Sequence, residues 1–311
     1  MGYRMLALVL AAAAAVAPCA AGSDRVGLDA TQVQLAVSAD GQTAVVTYRS
    51  GGRLRHVLVA GAVNALPPSH VVPQVRFAID WSGGWATHRN GTWWRKVGNH
   101  CRSYDGPELA GLVAACDAPD GSHWALQRWQ PKLPHRGYPP YAAGQTAWEL
   151  DVSHWTGPLA ELEVHADWAF DGQAHNLFGR LRYNGVPVHG FHTVKGTGAP
   201  QDRYGRSLYI DTHASAYGPG WSRETSIVFR KPTGAFCYSF WPTHDVSLPG
   251  KPARPAGNGV RYRISVVGPG VTPDVTAEAN DAGPYDPVVE RAQDALFMRV
   301  IAGDKFCATQ R

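Results

Sequence analysis

Short motifs recur in the same order along this chain, and that recurrence constrains the fold more than any single motif does. Asp40-Gly41-Gln42 leads to Gly52-Arg53-Leu54-Arg55, and Asp171-Gly172-Gln173 leads to Gly179-Arg180-Leu181-Arg182. Pro73-Gln74-Val75-Arg76-Phe77 is answered by Pro200-Gln201-Asp202-Arg203-Tyr204. Ile79-Asp80 is answered by Ile210-Asp211, Gly84-Trp85 by Gly220-Trp221, and Trp148 to Val152 by Tyr262 to Val266. Each anchor alone is a common turn or strand signal, and the spacing between anchors drifts. Their order predicts an internal duplication: an all-β chain of two related β-sandwich-like units, residues 27–159 and 160–280. A C-terminal α-helix and tail, 285–311, is expected to pack on the second unit. Asp40 should then superpose on Asp171, Arg53 on Arg180, Asp80 on Asp211 and Gly157 on Gly268. The pattern leaves open whether the units are separate domains or halves of one sandwich.

The first 21 residues read as a signal peptide. Arg4 is followed by an uninterrupted apolar run from Met5 to Val16. A span of about 12 residues is too short for a bilayer core, which needs about 20. Pro18-Cys19-Ala20 and Cys19-Ala20-Ala21 approach the small-Xaa-small pattern of a cleavage site. The expected location is secreted, extracellular or associated with the cell envelope, with no transmembrane segment. Removing the leader removes Cys19 and leaves Cys101, Cys116, Cys237 and Cys307. An even count in an exported chain points to two disulfides, with three pairings possible. Cys101 with Cys116 and Cys237 with Cys307 are expected. The first closes a loop of about 15 residues, worth ~3 kcal/mol in the chain-entropy model.

Charge excludes little but directs the argument. The formal net charge is +4 with no lysine or arginine run, so no dedicated nucleic-acid surface is expected. Abundant glycine and proline with only 17% charged residues make a turn-dense, strand-dense chain. Alternating runs place strands at Gln32 to Ser38, Thr43 to Tyr48, Leu54 to Val59, Trp148 to Val152, Phe178 to Tyr183, Ser207 to Asp211 and Arg261 to Val267. Asn184-Gly185 is a hairpin turn signal. Helix is expected at Gly106 to Cys116 and from Asp286 to Ile301. In the second, Asp286 caps, Pro287 starts, Gly303 stops, and Val288, Ala292, Ala295, Leu296 and Val300 form the packing stripe.

Chemistry-bearing constellations are weak. Asp211, His213 and one of His165, His175 or His189 make a conceivable metal set, but no compact ligand motif is present. No metal or other cofactor is expected. Glu149 with Asp151, and Glu161 with Glu163, are i, i+2 carboxylates about 6.5–7 Å apart on a strand, inside the range glycosidases use. Ordinary polar strand faces carry the same pattern. Asp80 and Asp211 hold matching places in the two repeats and are expected to share a structural duty, such as capping a turn through backbone N–H groups. Ser122-His123-Trp124 and Ser153-His154-Trp155 repeat a tripeptide, but sequence neighbours on a strand face opposite ways, which argues against a dyad within either. No catalytic residue is assigned.

Aromatics remain. Trp81, Trp85, Trp93 and Trp94 crowd into a glycine-rich stretch; Trp129 lies near one Pro- and Gly-rich loop, and Trp221 and Trp241 near its counterpart. Indole platforms with polar neighbours suit stacking on sugar rings. Most of these aromatics are expected in the core, and Trp81, Trp85, Trp93, Trp94 and Trp221 are the candidate binding residues. The expectation is an exported, non-enzymatic binding or envelope-associated protein, with polysaccharide or envelope glycan as partner. The alternative is a secreted polysaccharide hydrolase using paired carboxylates or a His/Asp site.

The chain resembles a group of secreted proteins of soil actinobacteria. The resemblance rests on Ala62 to Pro67 ahead of Gln74-Val75-Arg76-Phe77, Tyr104-Asp105-Gly106-Pro107, Ser153-His154-Trp155-Thr156-Gly157-Pro158 and Phe178-Gly179-Arg180-Leu181. It implies export and a β-rich fold, and it brings no activity, ligand or catalytic residue.

Overall fold

The structure is a computed structural model describing residues 23–64, 75–130, 133–134, 147–169, 172, 174–188, 192–193, 200–202, 206–215, 218–224, 226–229, 239–242, 259–267, 272–304 and 307. Residues 1–21, read from sequence as a leader, and Cys237 lie outside the described residues.

Turn chemistry fixes the first hairpins. Thr31–Val37 (β2) follows Asp24–Leu28 (β1) and turns back into Thr43–Ser50 (β3). At that turn the Asp40 carboxylate accepts from the Gln42 N–H at 3.1 Å and the Ser38 hydroxyl at 2.5 Å, with Gly41 at φ 76°. Arg53–Ala60 (β4), Ala78–Asp80 (β5), a one-turn helix Trp85–His88 (α1) and a 3-10 turn Trp93–Lys96 follow, then Leu112–Asp117 (β6), His123–Trp129 (β7) and Glu149–Trp155 (β8). The second half holds Glu161–Ala169 (β9), Ala174–Tyr183 (β10), Val186–Pro187 (β11), His192–Thr193 (β12), Pro200–Gln201 (β13), Ser207–Ser215 (β14), Gly218–Glu224 (β15), Ser226–Phe229 (β16), Ser239–Pro242 (β17), Arg261–Val267 (β18), Val275–Asn280 (β19) and the helix Pro287–Ile301 (α2). Asn184 and Gly185, both at positive φ, turn β10 into β11 as the dipeptide requires.

The strands pair antiparallel into four sheets. Sheet I runs β1-β8-β7-β6 and sheet II runs β2-β3-β4-β5. Sheet III runs β11-β10-β17-β16 with β9 also on β10, and sheet IV runs β12-β13-β14-β18-β19 with β15 also on β14. The chain is therefore all-β with a C-terminal helix. Sheets I and II draw only on strands before Gly157 and sheets III and IV only on strands after it. The apolar core nevertheless runs through all four: Val46, Trp124 and Val152 join Val164, Leu181, Ile210 and Ile264 in one buried cluster.

The repeat anchors do not occupy equivalent places. The Asp40-Gly41 and Gly172 turns both close hairpins, but Arg53 opens β4 whereas Arg180 sits inside β10. Asp80 ends an edge strand, while Asp211 lies in β14 between β15 and β18. Gly84 caps α1, and Gly220 lies within β15. Asp171 and Gly268 are outside the described residues. The superposition expected from the motif order is not seen at the anchors that can be compared.

Cys101 and Cys116 are joined, as their spacing led us to expect. Cys307 is buried and disulfide-bonded; its expected partner, Cys237, lies outside the described residues. The cap of α2 is as read from sequence, with Asp286 accepting from the Val288 N–H at 2.7 Å. Its packing stripe is met only at the C-terminal end, where Val300 is buried and Leu296 packs beside it. Phe297, Val300 and Ile301 are buried, and Phe297 meets Phe178 edge-on. Val288, 64% exposed, and the nearby Ala292 and Ala295 face solvent. Only the last two turns dock on the sheet, so the face of the first turns is not selected by packing. The expected helix at 106–116 is absent. Gly111 there sits at φ 66° against the Arg128 carbonyl, and residues 112–117 pair with β7 instead.

Candidate functional site

A groove of about 770 Å³ lies between sheet I and sheet IV. Period-two alternation builds the sheet IV wall. On the sheet I side Gln127, Arg128 and Trp129 of β7 line it, and Trp148 joins them from just before β8. Opposite, Arg263 and Ser265 of β18 sit in register with Glu278 and Thr276 of β19. Trp221 of β15 completes that wall. Trp148 is 45% exposed, and Trp129 and Trp221 are half-buried.

One buried carboxylate organises the indoles. Asp211 is fully buried and takes Arg223 Nε on Oδ1 at 2.7 Å and Arg263 Nη2 on Oδ2 at 2.7 Å. The Arg223 guanidinium lies 4.9 Å from the Trp129 ring and 4.5 Å from the Tyr209 ring, two rings that also meet each other at 5.4 Å. The Arg263 guanidinium lies 4.3 Å from the Trp221 ring. Asp211 thus fixes two cations, each cation fixes an indole, and the aromatic walls are set before any ligand arrives.

The groove floor joins the two halves. The Gln127 side-chain amide donates to the Asp274 carbonyl at 3.0 Å and accepts from the Asp274 N–H at 3.0 Å, a two-point bond. The Asp274 carboxylate accepts from the Ser23 hydroxyl. Behind it lies Asp151, buried, with Oδ1 lacking a hydrogen-bond partner. Burial, then the Asp274 and Glu149 charges, push the Asp151 carboxyl well above the usual carboxylate range. A raised native pKa means the folded state keeps a proton that the unfolded chain releases. Stability therefore falls as pH rises from the ordinary carboxylate range through the raised value. Asp151→Asn is expected to raise the melting temperature at pH 7 and to flatten that pH dependence. Thermal melts of both proteins between pH 4 and pH 8 check this, and a lower melting temperature for the variant at pH 7 would contradict it.

The four-tryptophan stretch does something different from what its composition suggests. Trp93 stacks on His88 with ring centres 4.0 Å apart, and Trp94 stacks on His56 at 3.5 Å. Both are half-buried struts of the loop. Trp81 and Trp85 are 59% and 60% exposed. Asp80 holds the turn that presents them: it accepts from the Ser82 N–H at 2.8 Å and the Thr87 N–H at 2.9 Å, as expected for a capping residue. Burial opposes its charged form, but those bonds and the Ser82 hydroxyl outweigh it and hold the carboxyl at about 2. Of the sequence candidates, the structure separates Trp81, Trp85, Trp93 and Trp94 from Trp221, which lies in the groove. Trp129 and Trp148 belong to the groove and were not singled out, because they come from different strands and no local pattern links them.

The remaining constellations resolve into structural roles. Glu149 pairs with Arg25 at 2.7 Å, and Glu163 with His165 at 3.0 Å and Arg180 at 3.3 Å. Asp211 does not share the turn-capping duty of Asp80, since it lies within β14 and its carboxylate is occupied by arginines, and no cluster of metal-ligating side chains is found among the described residues. His189 lies outside the described residues. A Ser–His pair does form, between the two repeated tripeptides and not within either: Ser122 Oγ is 2.8 Å from His154 Nε2. Cross-strand pairing of Trp124 with His154 brings them together. Both are buried, and burial lowers the His154 pKa, so the pair links the ends of β7 and β8 in the core. Comparison with family models, curated proteins and solved structures finds no match.

Proposed function

We propose that this is an exported glycan-binding protein whose groove between sheets I and IV takes the sugar. The groove's three indoles, Trp129, Trp148 and Trp221, alternating with amide, hydroxyl and charged groups, carry the reading. Sugar rings offer apolar C–H faces to indoles and hydroxyl edges to hydrogen-bonding groups. The groove's volume lies within the range of ligand clefts, ~300–1,000 Å³. The leader and the Cys101–Cys116 disulfide fit an oxidising compartment outside the cytoplasm, and no described helix is long and apolar enough to cross a membrane.

The test is binding of the purified protein to a panel of neutral polysaccharides, by pull-down and calorimetry. Trp148→Ala and Trp221→Ala are each expected to weaken binding about tenfold or more, since truncating an aromatic anchor costs about 2 kcal/mol. Binding unchanged in both variants sinks the reading. Hydrolysis is the second reading, favoured by Asp274 and Glu278 on the groove wall. It requires new reducing ends from a bound polysaccharide, lost in Glu278→Gln.

A further inference from the structure

From the loop between β5 and β6 we infer a second binding site, remote from the groove in sequence and in sheet, for an acidic glycan bearing carboxylate groups. The inference goes beyond the groove reading and does not rest on it. No aspartate or glutamate occurs between Asp80 and Asp105, a stretch holding Arg89, Arg95, Lys96 and Arg102 with His88 and His100. Arg89, Arg95 and Lys96 are exposed, and none of them makes an ion pair among the described residues. A cavity of about 430 Å³ opens on this loop, lined by Lys96 of the three cations, by Trp93, His88 and His100, and by Asp80.

The loop is built to hold this display. Gly84, at φ 109°, sits where a Cβ would overlap Trp93, so the turn closes tightly on that indole. The Trp93–His88 and Trp94–His56 stacks anchor the loop to itself and to β4. Lys96 Nζ lies 4.6 Å from the Trp93 ring centre, and the Arg95 guanidinium 5.2 Å from that of Trp94. Lys96 is thereby held at a cavity that Trp93 lines, Arg95 is held on the neighbouring indole, and Trp81 and Trp85 are exposed on the same loop. Asp80 is buried with its oxygens taken up by Ser82 and Thr87.

Charge complementarity selects an anionic partner, and the cavity selects among anions. A sugar ring fills a pocket walled by an indole, and its hydroxyls meet the polar rim. A flat lipid surface leaves such a cavity empty. A nucleic-acid strand calls for a longer basic track than three cations supply.

The experiment uses the full mature chain and polygalacturonate, its carboxyl-reduced neutral counterpart, vesicles of phosphatidylglycerol with phosphatidylcholine, and single-stranded DNA. Polygalacturonate should bind, the carboxyl-reduced polymer should bind at least about tenfold more weakly, and binding should fall as salt rises from about 0.05 M to about 0.3 M. Arg89→Ala/Arg95→Ala/Lys96→Ala should lower polygalacturonate affinity at least about tenfold. Trp148→Ala/Trp221→Ala should leave the salt dependence of polygalacturonate binding and its preference over the carboxyl-reduced polymer in place, which separates this site from the groove. Lys96→Glu, a single exposed change, gives the same reading if the triple variant does not fold. Equal binding of the neutral and acidic polymers overturns the proposal. So does a loss caused by the groove variants alone, or tighter binding to the vesicles or DNA than to polygalacturonate.

Discussion

Replacing Asp211 with alanine is expected to cost about 3–5 kcal/mol of stability and to disorder both aromatic walls of the groove. Asp211 is fully buried and holds Arg223 and Arg263 through contacts of 2.7 to 3.3 Å. Arg223 is itself buried. Removing the carboxylate leaves the buried Arg223 guanidinium, and the partly exposed Arg263 beside it, without the Asp211 charge that offsets their desolvation, and the penalty of that imbalance exceeds the worth of the intact pair. The consequence reaches the groove because Arg223 supports Trp129 and Arg263 supports Trp221. Asp211→Asn keeps a hydrogen-bonding group and should lose less. Urea unfolding gives the stability, and the fluorescence maximum of the folded variant reports the indoles. A stability loss below about 1 kcal/mol would mean the network does not hold the groove.

Much of the strand and turn structure was legible because its signals are local. The Thr43 to Tyr48 and Arg261 to Val267 runs alternate with period two and lie in β3 and β18. The Asn184-Gly185 turn and the Asp286-Pro287 cap depend on backbone geometry that few residues satisfy. The groove was not legible, because Trp129, Trp148 and Trp221 meet only through the packing of sheet I on sheet IV. The same limit hid the Asp211–Arg223–Arg263 cluster and the Ser122–His154 pair. It also obscured the division of labour among Trp81, Trp85, Trp93 and Trp94. His56 and His88, which pack on Trp94 and Trp93, are ordinary histidines in sequence, and nothing marks them as stacking partners. Composition therefore pointed to the aromatic loop while the larger cavity formed elsewhere.

At the shared tripeptide the motif order is not matched by equivalent places in the fold, for a physical reason that mutation exposes. Gly52-Arg53-Leu54 and Gly179-Arg180-Leu181 share a tripeptide, yet the two glycines answer different needs. Gly52 sits in the turn between β3 and β4 at φ 74°, with open space where a side chain would go. Gly179 lies within β10, opposite Val164 of β9, and a Cβ there would overlap the Glu163 carbonyl. Gly52→Ala is expected to cost about 1–2 kcal/mol, the penalty of a left-handed conformation for an L-residue. Gly179→Ala has no such φ penalty but must push apart the most extensive strand pair of sheet III, which runs from Ala174↔Ala169 to Arg182↔Glu161. Backbone cannot swing aside as a flexible side chain does, so the cost should reach about 3 kcal/mol or more. It should also loosen the surface on which α2 docks, since Phe178 and Arg180, flanking Gly179, contact Phe297 and the Val300 carbonyl. Denaturant midpoints of the two variants decide the matter. Equal losses would restore the two glycines to equivalent roles; a loss at Gly179 exceeding that at Gly52 shows that one tripeptide serves as a turn in one half and as a close-packed strand in the other.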